Sequence, residues 1–302
     1  MKQFLLISLS ITLLLFMGAC EKTPTQQGPY IGGITGVSVE FMTSAPPSQF
    51  SQGESVPVTV IVKNQGEENI IKGNTQVRIY GIKPENFGLS SKYVGTPGDL
   101  LGKGSTAEGG NQRIDFGSMK YNIDVVNSED FTMRARVCYP YKTRGKIDIC
   151  VKSVVAQESG DSVCALAGEK VTKGSVSSGP VQITSVKETT RASSEVRFDI
   201  TIENKGPGEV FTPEMQCEDY ENDDFRLSKK DFVGVKITNP VGVKCSFIDG
   251  VEDSEGQINL LLGKDILTCW VNAEEAYQDK LDIALSYYYF DKAAKSVTIF
   301  ER

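Results

Sequence analysis

The side chains that could carry out catalysis form no recognisable pattern. The chain has no histidine among its 302 residues, which excludes mechanisms that use imidazole as a general base. Asp and Glu number 39, but no spacing marks two carboxylates as a buried glycosidase pair roughly 5–10 Å apart. The run Gly102-Lys-Gly104-Ser-Thr-Ala107 opens no amphipathic helix, so it predicts a flexible loop rather than a dinucleotide site. We predict that the chain is not an enzyme.

Two acidic clusters are weak candidates for calcium ligands. The first contains Asp219, Asp223 and Asp224 within residues 218–224, and the second spans residues 249–255. Calcium prefers hard oxygen ligands, but neither cluster has the ligand spacing of a known calcium loop. We therefore favour solvated loops, and we predict no metal and no cofactor.

Seven cysteines divide into Cys20 and a set of six farther along the chain: Cys138, Cys150, Cys164, Cys217, Cys245 and Cys269. An even number in an exported chain predicts disulfides, whereas the absence of histidine and of a CxxC pair argues against zinc. Cys245 and Cys269 lie on separate predicted strands and are the best pair within the second half. Buried free thiols are the alternative.

The other pairings stay open. Cys138 and Cys150 are symmetric about residue 144, so a hairpin that turns at 143–145 would place them opposite each other. Cys150 with Cys164 is the rival pairing. Each half holds three of the six cysteines, so one bridge between the halves is expected, and Cys164 with Cys217 is the candidate.

The N-terminus has the features of a signal peptide. Lys2 precedes an apolar stretch without charges from residue 4 to residue 19, and Cys20 follows. Sixteen residues are short for a bilayer core of about 30 Å, which needs roughly 20 helical residues. The alternative is an uncleaved signal anchor, and both interpretations place the rest of the chain outside the cell.

The junction Met17-Gly18-Ala19-Cys20 resembles the lipobox of secreted lipoproteins, although Met17 stands where that family usually has Leu. The resemblance implies cleavage before Cys20 and a diacylglyceryl group on its thiol. Two acyl chains make a stable membrane anchor. We expect the mature chain on the outer face of the cell membrane.

The rest of the chain predicts an all-β protein. Short alternating apolar runs recur between turn residues, and no segment shows a convincing helical period. Predicted strands lie near 35–43, 55–63, 70–81, 113–121, 130–139, 147–155, 181–187, 195–203, 208–213, 233–238, 241–247, 257–262, 266–271, 281–290 and 296–301. With no helices to form crossovers, such strands predict antiparallel sheets packed face to face.

An internal repeat predicts one domain type present twice. Residues 56–66 align with residues 196–206 at an offset of 140: four apolar positions coincide, and both copies end in Asn-x-Gly. A second match relates 146–149 to 280–283 at an offset of 134. Repeats in the same order and at similar spacing indicate a duplicated unit.

These observations divide the chain into five segments. Residues 1–19 are the signal peptide, and residues 20–33, rich in Thr, Pro, Gln and Gly, are a flexible lipid-anchored tether. The two tandem immunoglobulin-like β-sandwiches occupy 34–164 and 181–302, and a Gly- and Ser-rich linker, 165–180, joins them. Within the first sandwich, the Gly-rich insertion 82–112 is a candidate for binding work.

The run Pro57–Gly66, and its counterpart ending at Gly206, resemble the early strand of CARDB-type immunoglobulin-like modules of prokaryotic surface proteins. The wider pattern resembles uncharacterised surface lipoproteins of small-genome archaea. The residues that carry this similarity are Val137-Cys138-Tyr139-Pro-Tyr141-Lys-Thr143, Cys150, Cys245, Cys269, Ala276-Tyr277, Leu281 and Ser286-Tyr-Tyr288. The resemblance implies two sandwiches displayed outside the cell, and it brings no catalytic residue with it.

Charge narrows the choice of partner. The net charge is −7, and residues 181–302 carry 23 acidic against 14 basic side chains. An acidic half repels phosphate backbones, so nucleic acid is not an expected partner. In the run Tyr287–Tyr289, we expect Tyr287 and Tyr289 in the core. We expect Tyr288 with Phe290 either in the core or a contact between the halves, or in an exposed binding patch.

The sequence thus predicts a lipid-anchored, non-catalytic binding or adhesion protein whose partner belongs to the cell surface or envelope. One alternative is an accessory subunit of a secretion, pilus or transport assembly. A second alternative is an extracellular hydrolase of unfamiliar type.

Overall fold

A computed structural model of the chain describes residues 28–152, 163–192 and 194–302. The predicted signal peptide, Cys20 and the tether up to residue 27 lie outside the described residues. The end of the strand predicted near 147–155 also lies outside them. Within the described ranges, no helix has both the length and the hydropathy needed to cross a bilayer.

The strands of the first half are β1 (Val37–Phe41), β2 (Gln49–Ser51), β3 (Ser55–Asn64), β4 (Gln76–Tyr80), β5 (Val94–Gly95), β6 (Asn111–Lys120) and β7 (Ser128–Val151), with a 3-10 helix at Pro84–Phe87. Those of the second half are β8 (Val181–Ala192), β9 (Glu195–Asn204), β10 (Glu209–Phe211), β11 (Phe232–Asn239), β12 (Lys244–Ser246), β13 (Glu252–Asp253), β14 (Glu255–Asn259), β15 (Lys264–Asn272) and β16 (Tyr277–Phe300). The second half also contains the helix α1 (Asp223–Lys229) and two 3-10 helices, at Cys217–Glu221 and Leu261–Gly263.

The strands form three sheets, and the all-β prediction is confirmed. The first sheet has the order β1-β3-β6, and the second has the order β13-β12-β15-β9-β8. The third, which we call the central sheet, has the order β14-β11-β16-β7-β4-β5, with β10 and β2 also paired to β16. All pairings are antiparallel except that of β2 with the end of β16.

The two halves of the chain have the same order of paired strands. Sheet β1-β3-β6 corresponds to β8-β9-β15, and the half-sheet β5-β4-β7 corresponds to β14-β11-β16. The repeated sequences form β3 and β9, which bury alternate side chains because successive residues of a strand face opposite ways. The 24-residue strands β7 and β16 pair along their whole length and join the halves into one central sheet.

One hydrophobic core runs through both halves, because the side chains beneath the central sheet meet those of β3 and β9 in a single cluster. The segment that follows residue 163 adds to this packing. Ser177 donates a backbone hydrogen bond to the Arg144 carbonyl at 2.8 Å, and Lys146 donates to the Ser175 carbonyl at 2.7 Å. Tyr30 in turn donates to the Gly174 carbonyl at 3.0 Å. The division into domains at 34–164 and 181–302 stays a prediction.

The hairpin expected at residues 143–145 is wrong. The strands predicted near 130–139 and 147–155 belong to the single strand β7, and those predicted near 281–290 and 296–301 belong to β16. Gly145 reads as a turn residue in the sequence, but it has a packing role. A Cβ on Gly145 would lie 2.8 Å from side-chain atoms of both Ile183 and Ile283. The missing side chain lets β7 pass between these neighbours without turning.

The insertion 82–112 contributes to packing. Its 3-10 helix buries Phe87, whose ring lies 4.8 Å from that of Tyr121 and 5.2 Å from that of Phe131. Leu100 is also fully buried, and its backbone pairs with Ile70. Much of this segment therefore supports the first half of the fold.

Candidate interaction surface

The central sheet presents one covered face and one largely open face. The odd-numbered side chains of β7 and β16 point inward, and Tyr139, Tyr141, Tyr287 and Tyr289 are buried there. The expectation that Tyr287 and Tyr289 belong to the core is confirmed. The even-numbered side chains point outward, and we call this side of the sheet the central face.

Each repeated Asn-x-Gly turn is fixed against a tyrosine of the inner face. The Asn64 side-chain oxygen accepts from the Gly66 N–H at 3.1 Å, and its amide donates to the Glu68 carbonyl at 2.7 Å. The Tyr141 hydroxyl accepts from the Glu68 N–H at 3.4 Å. A Cβ on Gly66 would collide with that hydroxyl, so the glycine is required for close approach.

The second half builds the same contact. Asn204 bonds the Gly206 N–H at 3.2 Å and the Gly208 carbonyl at 3.0 Å, and the Tyr289 hydroxyl accepts from the Gly208 N–H at 2.7 Å. Burial raises the pKa of Tyr289, which keeps its hydroxyl protonated. The sequence shows that the Asn-x-Gly turn occurs twice, but it does not show that Tyr141 and Tyr289 are the partners of these turns.

A disulfide between Cys138 and Cys217 lies on the central face and joins the halves covalently. It is part of a small second core with Phe211, Met215 and Phe290, against which Tyr93, Tyr220 and Tyr288 pack. Phe290 thus packs in a contact between the halves rather than in an exposed binding patch.

The structure decides among the open disulfide pairings. Cys245–Cys269 is confirmed, and Cys150 pairs with Cys164, the rival of the hairpin pairing. Cys138 with Cys150 is wrong because both lie on β7, 12 residues apart, which separates them by about 40 Å. A bridge between the halves was expected, but its partner for Cys217 is Cys138 rather than Cys164.

An arginine in an aromatic sandwich closes one end of the second core. The Arg136 guanidinium lies 4.4 Å from the ring centre of Tyr80 and 3.8 Å from that of Tyr220. Glu221 accepts from Arg136 at 2.7 Å and also pairs with Arg78. Burial by itself would raise the pKa of Glu221, but the hydrogen bond from Arg78 and the charge of Arg136 outweigh it, and the pKa is lowered.

The calcium candidates have local partners instead. Asp219 accepts from the Gln216 N–H at 2.9 Å, and Asp223 pairs with Arg226 at 2.6 Å. The N–H of Asp224 donates to the Asn222 side chain at 3.1 Å, which caps α1. In the parts of the chain that the structure describes, no three His, Cys, Asp or Glu side chains are grouped as metal ligands.

The open part of the central face carries two adjoining depressions of about 330 and 540 Å³, which share Lys142, Pro213 and Ser286. We call them together the Lys142 groove. Gly234 on β11 and Ala284 on β16 form a floor of small residues. Small residues between charged side chains leave space in which an extended segment of a partner protein could lie across β11 and β16.

The rim of the Lys142 groove carries both charges. Lys236 pairs with Glu255 at 2.7 Å, and Gln257 donates to Glu214 at 3.1 Å. No carboxylate among the described residues pairs with Lys142, which is exposed. Lys142 is therefore available to an acidic group of a partner.

A separate depression of about 480 Å³, the Arg134 groove, lies beside the aromatic sandwich. Arg134 and Lys292 supply positive charge, and Glu209 and Asp291 supply negative charge. Burial raises the pKa of Asp291. For Glu209, burial acts in the same direction, but the hydrogen bonds from Lys230 and Tyr220 and the charges of Lys230 and Arg226 together outweigh it, and the pKa of Glu209 is lowered.

Comparison with known proteins identifies no relatives. No family model matches the chain, and no curated protein matches it. Solved structures align only loosely. The secreted serine protease VesC from Vibrio cholerae has 11% identity and a TM-score of 0.19, covering 86% of this chain and 50% of its own. The CupB6 tip adhesin from Pseudomonas aeruginosa has 10% identity and a TM-score of 0.15, covering 90% and 96%.

A Salmonella alpha-2-macroglobulin mutant has 10% identity and a TM-score of 0.16, covering 94% of this chain and 24% of its own. The chain thus spans about half the length of the protease and about a quarter of the macroglobulin. TM-scores this low carry no argument about function. Any functional conclusion must come from the chain itself.

Proposed function

We propose that this chain is a lipid-anchored protein of the outer cell surface that works by binding, and that the Lys142 groove is its contact site. The observation that carries the proposal is the groove itself, a long depression with a floor of small residues and an unpaired lysine. It lies on a sheet whose two central strands are each 24 residues long. Sites built on strands hold their geometry better than sites built on loops.

The cysteines support a place outside the cell. All six cysteines between Cys138 and Cys269 are paired in three disulfides. Such bonds persist in oxidising environments outside the cytosol. Together with the apolar N-terminal stretch and Cys20, they support export followed by acylation.

The groove favours an extended polypeptide with acidic side chains as its partner. Gly234 and Ala284 add little side-chain bulk to the groove, and Lys142 offers a charge that has no ion-pair partner among the described side chains. The Ser286 hydroxyl lies in the same groove, but in the described part of the chain no side chain that could act as a general base accepts a hydrogen bond from it. The groove is therefore suited to recognition rather than to nucleophilic catalysis.

Crosslinking on intact cells, followed by mass spectrometry, tests the proposal. Lys142→Glu should lower the yield of crosslinked partner by about tenfold, the change expected for reversing a charge in a contact. Lys120→Glu, which changes an exposed lysine on β6, is the matched control and should leave the yield unchanged. Equal yields in both variants would reject the Lys142 groove as the contact.

The same experiment separates the alternatives. A surface protein among the captured partners supports a binding or adhesion role, and a membrane-embedded complex favours an accessory subunit. Intact-mass analysis of the mature protein tests the anchor. A mass that includes residues 1–19, or that lacks a diacylglyceryl group on Cys20, would reject it.

A further inference from the structure

Four exposed apolar side chains lie on the segments that meet around Glu67 and Asn69. Ile31, Ile34, Ile71 and Leu101 are 38%, 54%, 69% and 60% exposed. Glu67 holds the first of them in place, because its carboxylate accepts from the Ile31 and Gly32 N–H groups, each at 3.0 Å. We call these four side chains the N-terminal patch.

The N-terminal patch is supported by ordered backbone. Ile70 and Leu100 exchange backbone hydrogen bonds at 2.9 Å, and both side chains are buried. Because side chains alternate along paired strands, Ile71 and Leu101 face outward on the same side of this bridge. The Gly102 N–H donates to the Asn69 side chain at 2.7 Å, which ties the Leu101 turn to the Glu67 loop.

Lysines flank the N-terminal patch. Lys72 follows Ile71, Lys103 lies two residues beyond Leu101, and Lys173 accepts the Gly28 N–H on its carbonyl at 3.3 Å. No carboxylate in the described ranges pairs with these three lysines. The carboxylates beside the patch have partners within the fold: Glu68 pairs with Arg144, Asp99 accepts from the Lys72 N–H at 2.7 Å, and Glu67 accepts from Ile31 and Gly32. Exposed apolar side chains bordered by unpaired lysines match the chemistry of an anionic lipid surface.

The short distance in sequence between Cys20 and the first described residue indicates what covers the N-terminal patch. Gly28 lies eight positions after Cys20, and eight fully extended residue steps span at most about 29 Å. The Gly28 and Tyr30 N–H groups are bonded to the carbonyls of Lys173 and Gly174, which fixes where the chain leaves the fold. A lipid on Cys20 would hold the N-terminal patch within that distance of the bilayer.

We infer that the N-terminal patch docks on the membrane surface, with Ile71 and Leu101 at the boundary between headgroups and acyl chains. Ile71 also lines one end of the Lys142 groove, so docking would place that end beside the bilayer and leave the end at Gly234 and Ala284 for the partner. The inference rests on the proposed acylation of Cys20. The lipid supplies a high local concentration of the patch at the bilayer, so contacts too weak to bind a free protein are populated in the anchored one. Docking would set one orientation of the ectodomain relative to the bilayer.

Tryptophan scanning of the full-length acylated protein tests the docking. The protein is reconstituted into vesicles of phosphatidylcholine and phosphatidylglycerol, with or without brominated acyl chains, which quench indole fluorescence at short range. Leu101→Trp and Ile71→Trp place the probe in the N-terminal patch. Val126→Trp is the matched control, because Val126 is 79% exposed in the same half. It lies beside the start of β7, about 50 Å along the strand from Arg144.

Docking predicts that the indole introduced by Leu101→Trp or Ile71→Trp loses about half of its fluorescence in brominated vesicles, because it lies at the acyl boundary. The indole introduced by Val126→Trp should lose none, and the wild-type chain, whose one tryptophan is Trp270, supplies the background. Replacing phosphatidylglycerol by phosphatidylcholine should reduce the quenching, since the three lysines then lose their anionic partners.

Failure of the docking and failure of the anchor give different results. If the acylated protein sediments with vesicles but both patch positions are quenched no more than the Val126→Trp control, docking is wrong and the anchor stands. Equal quenching at all three positions would also overturn docking, because the protein would then have no preferred orientation. If intact-mass analysis finds no lipid on Cys20, the anchor is wrong and the docking falls with it.

Discussion

The disulfide between Cys138 and Cys217 should contribute more to stability than the one between Cys150 and Cys164. The first closes a loop of 79 residues, and the second closes a loop of 14. A disulfide stabilises mainly by lowering the entropy of the unfolded chain, by about 4.5 kcal/mol for the longer loop and about 3 kcal/mol for the shorter one. The difference follows from loop length alone.

Packing adds to this difference. Both sulfurs of the longer bridge lie in the second core, where Cys138 and Cys217 are buried against Phe211 and Phe290. Replacing them by alanine leaves a small cavity, which costs about 1 kcal/mol more. We therefore expect the Cys138→Ala/Cys217→Ala variant to lose about 5 kcal/mol of unfolding free energy. Cys164, in contrast, is partly exposed, so its bridge gains less from packing.

Guanidinium unfolding, followed by circular dichroism and by Trp270 fluorescence, measures both losses. The Cys150→Ala/Cys164→Ala variant is the matched control, with an expected loss of about 3 kcal/mol. The reasoning would be refuted if the control lost as much as the Cys138→Ala/Cys217→Ala variant. It would also be refuted if the latter lost less than about 1 kcal/mol, since the loop would then impose no cost on the unfolded chain.

Three further predictions concern single side chains. Gly206→Ala should cost about 1–3 kcal/mol in unfolding free energy, because its Cβ collides with the Tyr289 hydroxyl; adding Tyr289→Phe should recover part of the loss. Hydrogen bonds, first from Lys205, lower the pKa of Glu203 to about 2. Glu203→Gln should therefore cost about 1 kcal/mol at neutral pH, because water screens ion pairs to exposed lysines, and this difference should vanish as the pH falls from about 4.5 to 2. Arg136→Lys should cost about 1–2 kcal/mol, because an ammonium cannot stack between two rings as a guanidinium does.

Each of these has a result that would contradict it. Gly104→Ala is the control for the glycine, since a Cβ there meets only ordinary contacts, with Ala107 at 3.7 Å; an equal loss would mean that the tyrosine contact is not the cause. A pH-independent loss in Glu203→Gln would show that its ion pairs do not set the effect. Unchanged stability of Arg136→Lys would mean that charge alone, and not stacking, holds the sandwich.

The existence of many strands, and which of their side chains face inward, could be predicted from local sequence. In β3, Val56, Val58, Val60 and Val62 alternate with residues that face outward, and this pattern is visible without any knowledge of the partner strands. The same pattern in β9 revealed the internal repeat. Alternation is a local property, because each residue of a strand faces opposite to its neighbours. The expectation of an all-β fold rests on it.

Features that depend on distant residues could not be predicted in this way. Gly145 has the local signature of a turn, but Ile183 and Ile283 make it a packing position within a 24-residue strand. The same misread turn produced the wrong pairing of Cys138 with Cys150.

The sequence alone determined that the chain lacks imidazole chemistry, that it folds into strands, and that the second half is acidic. These follow from composition and from the direction in which neighbouring side chains point. Only the tertiary structure decided that β7 and β16 fuse the two halves into one sheet, that Cys217 pairs with Cys138, and that the open face of this sheet carries the Lys142 groove. Each of these features depends on contacts between residues more than seventy positions apart in the sequence. Local sequence patterns do not determine such contacts, because they form only when the whole chain folds.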